Sequence, residues 1–335
     1  MRSVVLAAMA ALGLAGGSAV AAEHPWKPEK PITIIVPWAA GGSTDQVTRV
    51  VAGELEPVLG QKVVVVNQPG ASGSIGTKGA LDAPRDGYTW TAGAAQDLGT
   101  YKVLGMLDTS IEDWHLYLTV ANVSVVSVNP DTPYRTLPEL LEAMKANPGE
   151  IAVATAGLNS GGHNTMEAIR KATGVEYKHV TYDGGNPAVI ATVAGETQVT
   201  TQLATEQAEM IRAGRLRPLA VVSDKPLELE GYGSIPPITE FVQGVPVAPN
   251  YFGIFVPEGV PEEVVRTLDA VWENTMSKSE ALKKYAAQRG AQFAAHLWGE
   301  AAQKAVQPAI RLNAWLLWDA GKAKVNPEEV GIPRP

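Results

Sequence analysis

The sequence predicts an α/β protein of two domains with a ligand cleft between them. A length of 335 residues suggests roughly two domains. Apolar β-branched runs such as Ile32 to Val36 alternate with helical patterns, which is typical of strands joined by helices. Three glycine-containing loops follow such strands and lead into helices. Because ligands of open α/β sheets bind outside the carboxyl ends of the strands, these loops predict where a ligand would lie.

The N-terminus has the pattern of a secretory signal peptide. Arg2 precedes an apolar run from Val4 to Ala15, and small residues follow it. The run is too short to span a membrane. We therefore predict a signal peptide over residues 1–22, cut near Ala21 or Ala22, and a soluble periplasmic mature protein.

Composition narrows the class of partner. The chain has no cysteine, which excludes disulfides and thiolate chemistry and fits the periplasm of a Gram-negative bacterium better than a disulfide-rich secreted scaffold. Formal net charge is -8, and it becomes -9 when Arg2 is removed with the signal peptide. Such a chain lacks the basic footprint of a nucleic-acid binder. Because the net charge is negative, local dipoles would have to hold an anionic ligand against an unfavourable overall field.

The first loop, residues 37–42, predicts an anion site built from backbone. It follows the strand Ile32 to Val36, and a helix begins at Ser43 or Thr44, where Ser43 and Gln46 fit a capping box. Unpaired N–H groups and the positive dipole end of a helix N-terminus favour an anion. Asp45 is interpreted mainly as a residue that orders this loop. The candidate ligand-binding residues here are Trp38, Ala39, Ala40, Gly41, Ser43, Thr44 and Asp45.

Two further strands follow in the first domain, at Lys62 to Val66 and Tyr88 to Ala92. The glycines at 73, 76 and 79 suggest a nucleotide loop, but neither G-x-G-x-x-G nor a Walker motif is present. Ser72 and Gln96 lie past the ends of these strands and are candidate ligand contacts.

We place a domain crossover near Val128, at the end of a β-rich segment that begins at Leu116. A helix from Thr136 to Ala146 then opens a new βα series. The predicted domains are residues 23–128 plus 250–335, and residues 129–249 inserted between them.

The second domain repeats the strand–loop–helix pattern. A strand from Ile151 to Thr155 leads into the loop 156–163, and a strand from His179 to Tyr182 leads into a loop in which Asn186 is the predicted N-cap and Pro187 the first helical residue. A strand over 198–203 then precedes a helix at about 206–213. The candidate ligand-binding residues of this domain are Thr155, Ala156, Gly157, Asn159, Ser160, His163, Tyr182, Gly184, Gln202 and Thr205.

The chain then returns to the first domain. Residues 219–222 form a strand, 236–249 are a proline-rich connector, and the strand Tyr251 to Val256 begins the return. Helices are predicted over 262–276, 279–288 and 299–320.

Catalytic and metal patterns are weak. The five histidines show neither H-E-x-x-H nor close clustering, and Ser160 lacks a G-x-S-x-G elbow and an orienting acid. We expect a binding protein that is not an enzyme and has no cofactor or metal. A periplasmic hydrolase using Ser160 or Ser43 remains an alternative, and so does a protein that presents its ligand to a sensor kinase.

Six motifs, in order along nearly the whole mature chain, resemble those of the substrate-binding proteins of tripartite tricarboxylate transporters, also called the Bug family. They are Pro37-Trp38-x-x-Gly41-Gly42-x-x-Asp45, Asn67-x-Pro69-Gly70-Ala71-x-Gly73-x-x-Gly76, Arg85-Asp86-Gly87-Tyr88-Thr89, Asn129-Pro130 with Tyr134-x-Thr136-Leu137, Ala156-Gly157-x-x-Ser160-x-x-His163, and Val180-x-Tyr182-x-Gly184-x-x-Pro187-Ala188.

The resemblance implies a two-domain periplasmic binding protein of the type II-like, Venus flytrap class, expected to be a monomer. It implies that the protein closes over a small organic acid anion, a di- or tricarboxylate above all, and delivers it to membrane permease subunits. The loops at Trp38–Asp45 and Ala156–His163 would hold a carboxylate. The chain departs from the family at Asp183, where a lysine is frequent, and at 198–202, where an acidic residue is frequent. Ligand identity is therefore left open.

Overall fold

A computed structural model describes residues 25–335, so the predicted signal peptide lies outside the described residues. No helix within 25–335 is long and apolar enough to cross a membrane. The strands are β1 (Ile32–Val36), β2 (Val63–Asn67), β3 (Thr89–Ala94), β4 (Trp114–Asn122), β5 (Val125–Val128), β6 (Ala152–Thr155), β7 (Lys178–Thr181), β8 (Val199–Thr200), β9 (Arg217–Val221), β10 (Leu227–Leu229), β11 (Gly233–Ile235), β12 (Asn250–Pro257) and β13 (Gln292–Phe293).

Helices surround these strands. They are α1 (Ser43–Leu59), α2 (Ser74–Leu81), α3 (Ala95–Leu104), α4 (Leu137–Ala146), α5 (Gly161–Thr173), α6 (Gly185–Val193), α7 (Ala204–Arg212), α8 (Glu262–Asn274), α9 (Glu280–Arg289) and α10 (Gly299–Asp319). Short 3-10 turns lie at Ala71–Gly73, Ile111–Asp113, Ile238–Glu240, Met276–Lys278 and Pro327–Val330.

The first sheet has six strands in the order β13-β4-β12-β3-β1-β2. Strand β1 runs parallel to β2 and β3, whereas β12 lies antiparallel between β3 and β4. Apolar residues of α1, α8 and α9 cover one face, and those of α2, α3 and α10 cover the other. A sheet covered on both faces needs near-continuous apolar strands, as the β-branched run of β1 provides.

The second sheet has five strands in the order β7-β6-β8-β5-β9. Strand β6 runs parallel to β7 and β8, and β5 lies antiparallel between β8 and β9. One core contains residues of α4 and α5, and the other contains residues of α6 and α7. The observed architecture is therefore the predicted mixed α/β fold with two sheets.

The chain passes from the first sheet to the second between β4 and β5, and returns at β12. Strand β5 pairs with β8 and β9, so residues 125–128 lie in the second sheet. The chain thus enters that sheet slightly before the crossover predicted near Val128. The domain ranges themselves stay a prediction.

The helix start predicted at Ser43 is confirmed but the capping box predicted there is not, and the helix start predicted after an N-cap at Asn186 is wrong. Ser43 is the first residue of α1 after the N-cap Gly42, and its side chain makes no capping bond. Its hydroxyl instead accepts hydrogen bonds from Asn122 and Thr205. The helix predicted to start from Asn186 begins at Gly185. At Ser43, tertiary partners take the place of the predicted local cap.

Several elements were not predicted. Residues 96–101 form most of helix α3, and the short strands β10, β11 and β13 fall in segments that lack a clear apolar alternation. Helix α3 is buried almost throughout, which removes the amphipathic pattern on which a sequence-based prediction depends.

Candidate functional site

Five helix N-termini meet at one cavity between the two sheets, here called the inner cavity. It is lined by Ser43 of α1, Ala94 at the N-cap of α3, Ser160 at the N-cap of α5, Gly185 of α6 and Leu203 at the N-cap of α7. The cavity has a volume of about 30 Å³. Unpaired N–H groups and the positive ends of the helix dipoles make such a place favourable for an anion.

The inner cavity continues outward into a wider opening, the outer cleft. Trp38 and Ala156 line both spaces, so they stand at the passage between them. The outer cleft is also lined by Ser72, Gly157 and Tyr182. A ligand longer than the inner cavity would extend along this path.

Asp45 holds the first loop in place through hydrogen bonds. Its Oδ2 accepts the N–H of Gly41 at 2.9 Å, and its Oδ1 accepts Asn67 Nδ2 at 3.0 Å. Arg49 forms an ion pair with the same carboxylate at 2.8 Å. Burial raises the pKa of Asp45, but the bonds from Arg49, Gly41 and Asn67 outweigh burial and hold that pKa below its ordinary value. The predicted loop-ordering role is what these contacts provide.

Ser160 and Asn159 shape the second loop. The Ser160 hydroxyl donates to the Gly157 carbonyl at 2.8 Å and accepts the His163 N–H at 3.3 Å, which caps α5. Asn159 has a left-handed φ of 68°, and its Oδ1 accepts Thr100 Oγ1 at 2.9 Å. The loop is thus tied to helix α3 beneath the first sheet.

Hydrogen bonds connect the loops and helices of the first sheet to those of the second sheet. The Ala39 N–H donates to the Asp183 carbonyl at 2.9 Å. The Ser43 N–H donates to Glu206 Oε1 at 3.0 Å, and Thr205 Oγ1 donates to Ser43 Oγ at 2.9 Å. The two sides of the cleft are therefore in direct contact around the inner cavity.

Glu206 is the acidic side chain among these contacts between the two sides of the cleft. Besides Ser43, it accepts the Leu203 N–H through Oε2 at 3.3 Å. Burial raises its pKa to about 7, against the lowering effect of these two backbone bonds. The protein's own carboxyl group occupies part of the anion-favouring region.

His163 does not reach the cleft. It is fully buried, its ring stacks on His179 at 4.8 Å, and its Nε2 lies 3.3 Å from Lys322 Nζ. Burial, with the neighbouring His179 and Lys322, lowers its pKa to about 3. The prediction of a ligand contact at His163 finds no support, because the ring points into this packed cluster.

The predicted site residues fall into three groups. Those lining the inner cavity are Trp38, Ser43, Thr44, Ala156, Ser160 and Gln202. Those lining the outer cleft are Trp38, Ser72, Ala156, Gly157 and Tyr182. Those that line neither space are Ala39, Ala40, Gly41, Asp45, Gln96, Thr155, Asn159, His163, Gly184 and Thr205.

Several residues of the third group contact other residues of the site and its loops without lining either space. Thr205 bonds to Ser43, as described, and the Gln96 amide approaches the Asn159 carbonyl at 3.5 Å. Thr155 Oγ1 bonds to His179 Nε2 at 2.6 Å. Gly184 lies against Ala39, where a Cβ would be 3.1 Å from the Ala39 nitrogen.

Sequence reasoning missed several lining residues. Asp97, Gly185, Glu206, Asn250 and Phe252 all line the inner cavity. A signal existed for Asp97, a charged residue just past a strand end. Glu206, at the third position of α7, accepts the N–H of the N-cap Leu203, which is the acidic half of a capping box.

Comparison with known proteins identifies a matching family and a relative of similar sequence. Residues 47–307 match the family described as tripartite tricarboxylate transporter family receptor. The "UPF0065 protein in tcbD-tcbE intergenic region" of Pseudomonas sp. (strain P51) is 34% identical over 251 residues, which are 72% of this chain and 73% of that protein.

Two solved structures share the fold. The structure of the periplasmic binding protein BugD has a TM-score of 0.79 at 27% identity and covers 88% of this chain and 99% of its own. The structure of R. palustris Rpa4515 with adipate has a TM-score of 0.75 at 26% identity and covers 88% of this chain and 98% of its own.

Proposed function

The chain belongs to the tripartite tricarboxylate transporter receptor family, and from this premise we propose that it captures an organic carboxylate in its cleft and delivers it to the permease of such a transporter. The family consists of periplasmic solute-binding proteins, not enzymes. The proposal adds the ligand class and the delivery to a membrane partner.

The observation that carries the proposal is the meeting of five helix N-termini at the inner cavity. A carboxylate there would accept backbone N–H groups at the N-termini of α1 and α5 and the hydroxyl hydrogen of Thr44. Hydrogen bonds to a charged group contribute about 1.5–3 kcal/mol each, so a few of them can hold a small anion. The relative solved with adipate supports a carboxylate as the ligand class.

The hydrolase alternative has no arrangement to support it. The Ser160 hydroxyl is engaged with the Gly157 carbonyl and the His163 backbone, while the His163 ring faces His179 and Lys322. The Ser43 hydroxyl accepts bonds from Asn122 and Thr205, and within residues 25–335 it bonds to no histidine. A nucleophilic serine requires a base within hydrogen-bond reach.

The test is a thermal-shift screen of the mature protein, unfolded and refolded to remove carried-over ligand, against organic acids. A ligand that binds only the folded state at 100 times its Kd adds about 2.7 kcal/mol, a shift of a few degrees. Shifts for carboxylates that weaken in a Thr44→Val variant would support the proposal. Shifts for sugars, with none for carboxylates, would overturn it.

Export is proposed from the N-terminal pattern. N-terminal sequencing of protein recovered from the periplasm should begin at Ala22 or Glu23. A mature protein that retains Met1 would contradict the signal peptide without affecting the proposed ligand class.

A further inference from the structure

The Glu206 side chain lies at the N-terminus of α1 in the way that a ligand carboxylate would. Its Oε1 accepts the N–H of Ser43, the first residue of α1, at 3.0 Å, and its Oε2 accepts the Leu203 N–H at 3.3 Å. The described residues that line the inner cavity include no lysine, arginine or histidine, so backbone N–H groups compensate this charge. A solute carboxylate bound at this position would need the same donors.

Two glycines leave the space that this carboxyl group fills. A Cβ at Gly185 would overlap the Glu206 carboxylate, and a Cβ at Gly42 would lie 3.5 Å from its Oε1. Both glycines line the inner cavity together with Glu206, and the volume that remains is about 30 Å³. Such a volume holds about two water molecules, so an organic acid does not fit while the Glu206 carboxyl group is in place.

The same carboxyl group joins the two sides of the cleft. Glu206 lies in the first turn of α7, which packs on the second sheet, whereas Ser43 begins α1, which packs on the first. A ligand that binds between two domains closes the cleft by contacting both of them. Glu206 makes such a contact from within the chain.

We propose that Glu206 is an internal competitor of the ligand: its carboxylate occupies the anion-binding position at the N-terminus of α1, and a solute carboxylate binds by displacing it. A group of the same chain competes at an effective concentration of millimolar order or higher. An acid that offers only one carboxylate is therefore excluded, whereas an acid with further contacts in the outer cleft displaces Glu206. The inference rests on the proposed function and adds a selectivity device to the same site.

The first test uses acetate, which matches the CH2–COO⁻ group that Glu206→Ala removes. Acetate should bind in the vacated space, so an acetate titration should raise the melting temperature of Glu206→Ala by a few degrees until it saturates. Sodium chloride at equal ionic strength serves as the reference. The wild type should gain nothing from acetate beyond this reference, because Glu206 already occupies the position.

The second test is calorimetric titration with the carboxylates that the thermal-shift screen identifies, at about pH 8, above the Glu206 pKa of about 7. Glu206→Ala should bind them about tenfold or more tightly than the wild type, which corresponds to one hydrogen bond to a charged group that no longer has to be displaced. Glu206→Gln keeps the size of the side chain but not its charge, and it should bind them several-fold more tightly. This variant keeps the inference testable if Glu206→Ala folds poorly.

Glu209→Ala is the matched control. Glu209 lies on the same helix, its side chain is 57% exposed, and it forms an ion pair with Arg289 of α9 at 3.1 Å. The control thus removes a carboxylate that also joins α7 to a helix of the first sheet but does not line the inner cavity. It should show neither a stabilisation by acetate nor a gain in affinity.

The outcomes distinguish this inference from the proposed function. If Glu206→Ala and Glu206→Gln bind the acids no more tightly than the wild type, or if acetate stabilises Glu206→Ala no more than the wild type, Glu206 is not a competitor and the inference is wrong. Binding by the wild type would then leave the proposed function in place. If neither the wild type nor any variant binds an organic acid, the proposed function fails and the inference fails with it.

Discussion

The backbone N–H of Ser43 donates to the carboxylate of Glu206 at 3.0 Å, and this bond joins a helix of the first sheet to a helix of the second. The N-terminus of α1, predicted as a seat for a ligand anion, is thus in contact with an anionic group of the protein itself. A ligand carboxylate must either share the remaining donors of this region or displace Glu206 from Ser43. The stability of the ligand-free protein should therefore report on Glu206.

Glu206→Gln should change how stability depends on pH. Burial raises the Glu206 pKa from its ordinary value of 4.5 to about 7, so the folded state binds the proton more tightly than the unfolded state. As pH rises from 4.5 to 7, the wild type loses stability through this group, at up to about 1.4 kcal/mol per pH unit. The glutamine variant has no such loss, and urea denaturation at several pH values measures the difference.

The matched control is Glu209→Gln, on the same helix at a side chain that is 57% exposed. Its stability curve should run parallel to the wild type across the range. If the Glu206→Gln curve also runs parallel, the Glu206 carboxyl group titrates as an ordinary glutamate and the account of its burial is wrong.

Gly185→Ala should destabilise the protein because the cleft leaves no room for a methyl group there. A Cβ at Gly185 would overlap the Glu206 carboxylate. Such overpacking costs about 1–3 kcal/mol. Gly53→Ala is the control, since Gly53 lies in α1 with no atom near the added Cβ, and there alanine should stabilise the helix by up to about 1 kcal/mol.

A double variant identifies the cause. Combining Gly185→Ala with Glu206→Ala removes the overlap, so the measured loss should be smaller than the sum of the two single losses. Additive losses in urea denaturation would mean that Gly185 is needed for another reason.

The sequence was sufficient where the determinants are local. The β-branched run of β1 and the periodic apolar residues of α1 predict both elements, and the capping box at Thr136 and Glu139 is present at the start of α4. These signals lie within a few residues of the structure that they specify.

Long-range contacts explain what the sequence could not predict. Ser43 has the spacing of a capping residue, but Asn122 and Thr205, far along the chain, donate hydrogen bonds to its hydroxyl.

Asp97 and Glu206 line one cavity although they are distant in sequence. His163 lies in the loop motif, yet packing against His179 turns its ring away from the cleft. Tertiary packing decides each of these roles.

His179→Gln should reduce the loss of stability in acid. Burial lowers the pKa of His179 to about 4 and of His163 to about 3, so both rings are neutral in the folded protein near pH 5. The unfolded chain protonates them below about pH 6.5, which favours unfolding by about 1.4 kcal/mol per pH unit for each ring. Glutamine retains a polar partner for Thr155 without this proton uptake.

Urea denaturation between pH 4 and 7 should therefore show a shallower acid slope for His179→Gln than for the wild type. His296→Gln, at an exposed histidine, serves as the control and should keep the wild-type slope. Equal slopes for all three proteins would show that the buried histidine pair does not govern acid sensitivity.

Asp45→Ala should weaken both the fold and ligand binding through the first loop. The variant removes the acceptor of the Gly41 N–H and of Asn67 Nδ2, together with the partner of Arg49. Because the Asp45 pKa is lowered in the folded state, its contribution is present at neutral pH and lost in acid. We expect a loss of about 2 kcal/mol at pH 7, in the range for hydrogen bonds to charged groups.

Asp82→Ala separates this effect from the simple loss of a surface charge. The Asp82 side chain is 60% exposed and forms an ion pair with Lys78, and exposed pairs contribute little. Urea denaturation should show a clear loss for Asp45→Ala alone, and calorimetry should show a weaker Kd for the ligand found in the screen. A disordered loop that contacts the ligand would have to be reordered on binding, which weakens the affinity. If Asp45→Ala lowers stability but leaves the Kd unchanged, the loop that Asp45 orders therefore does not contact the ligand.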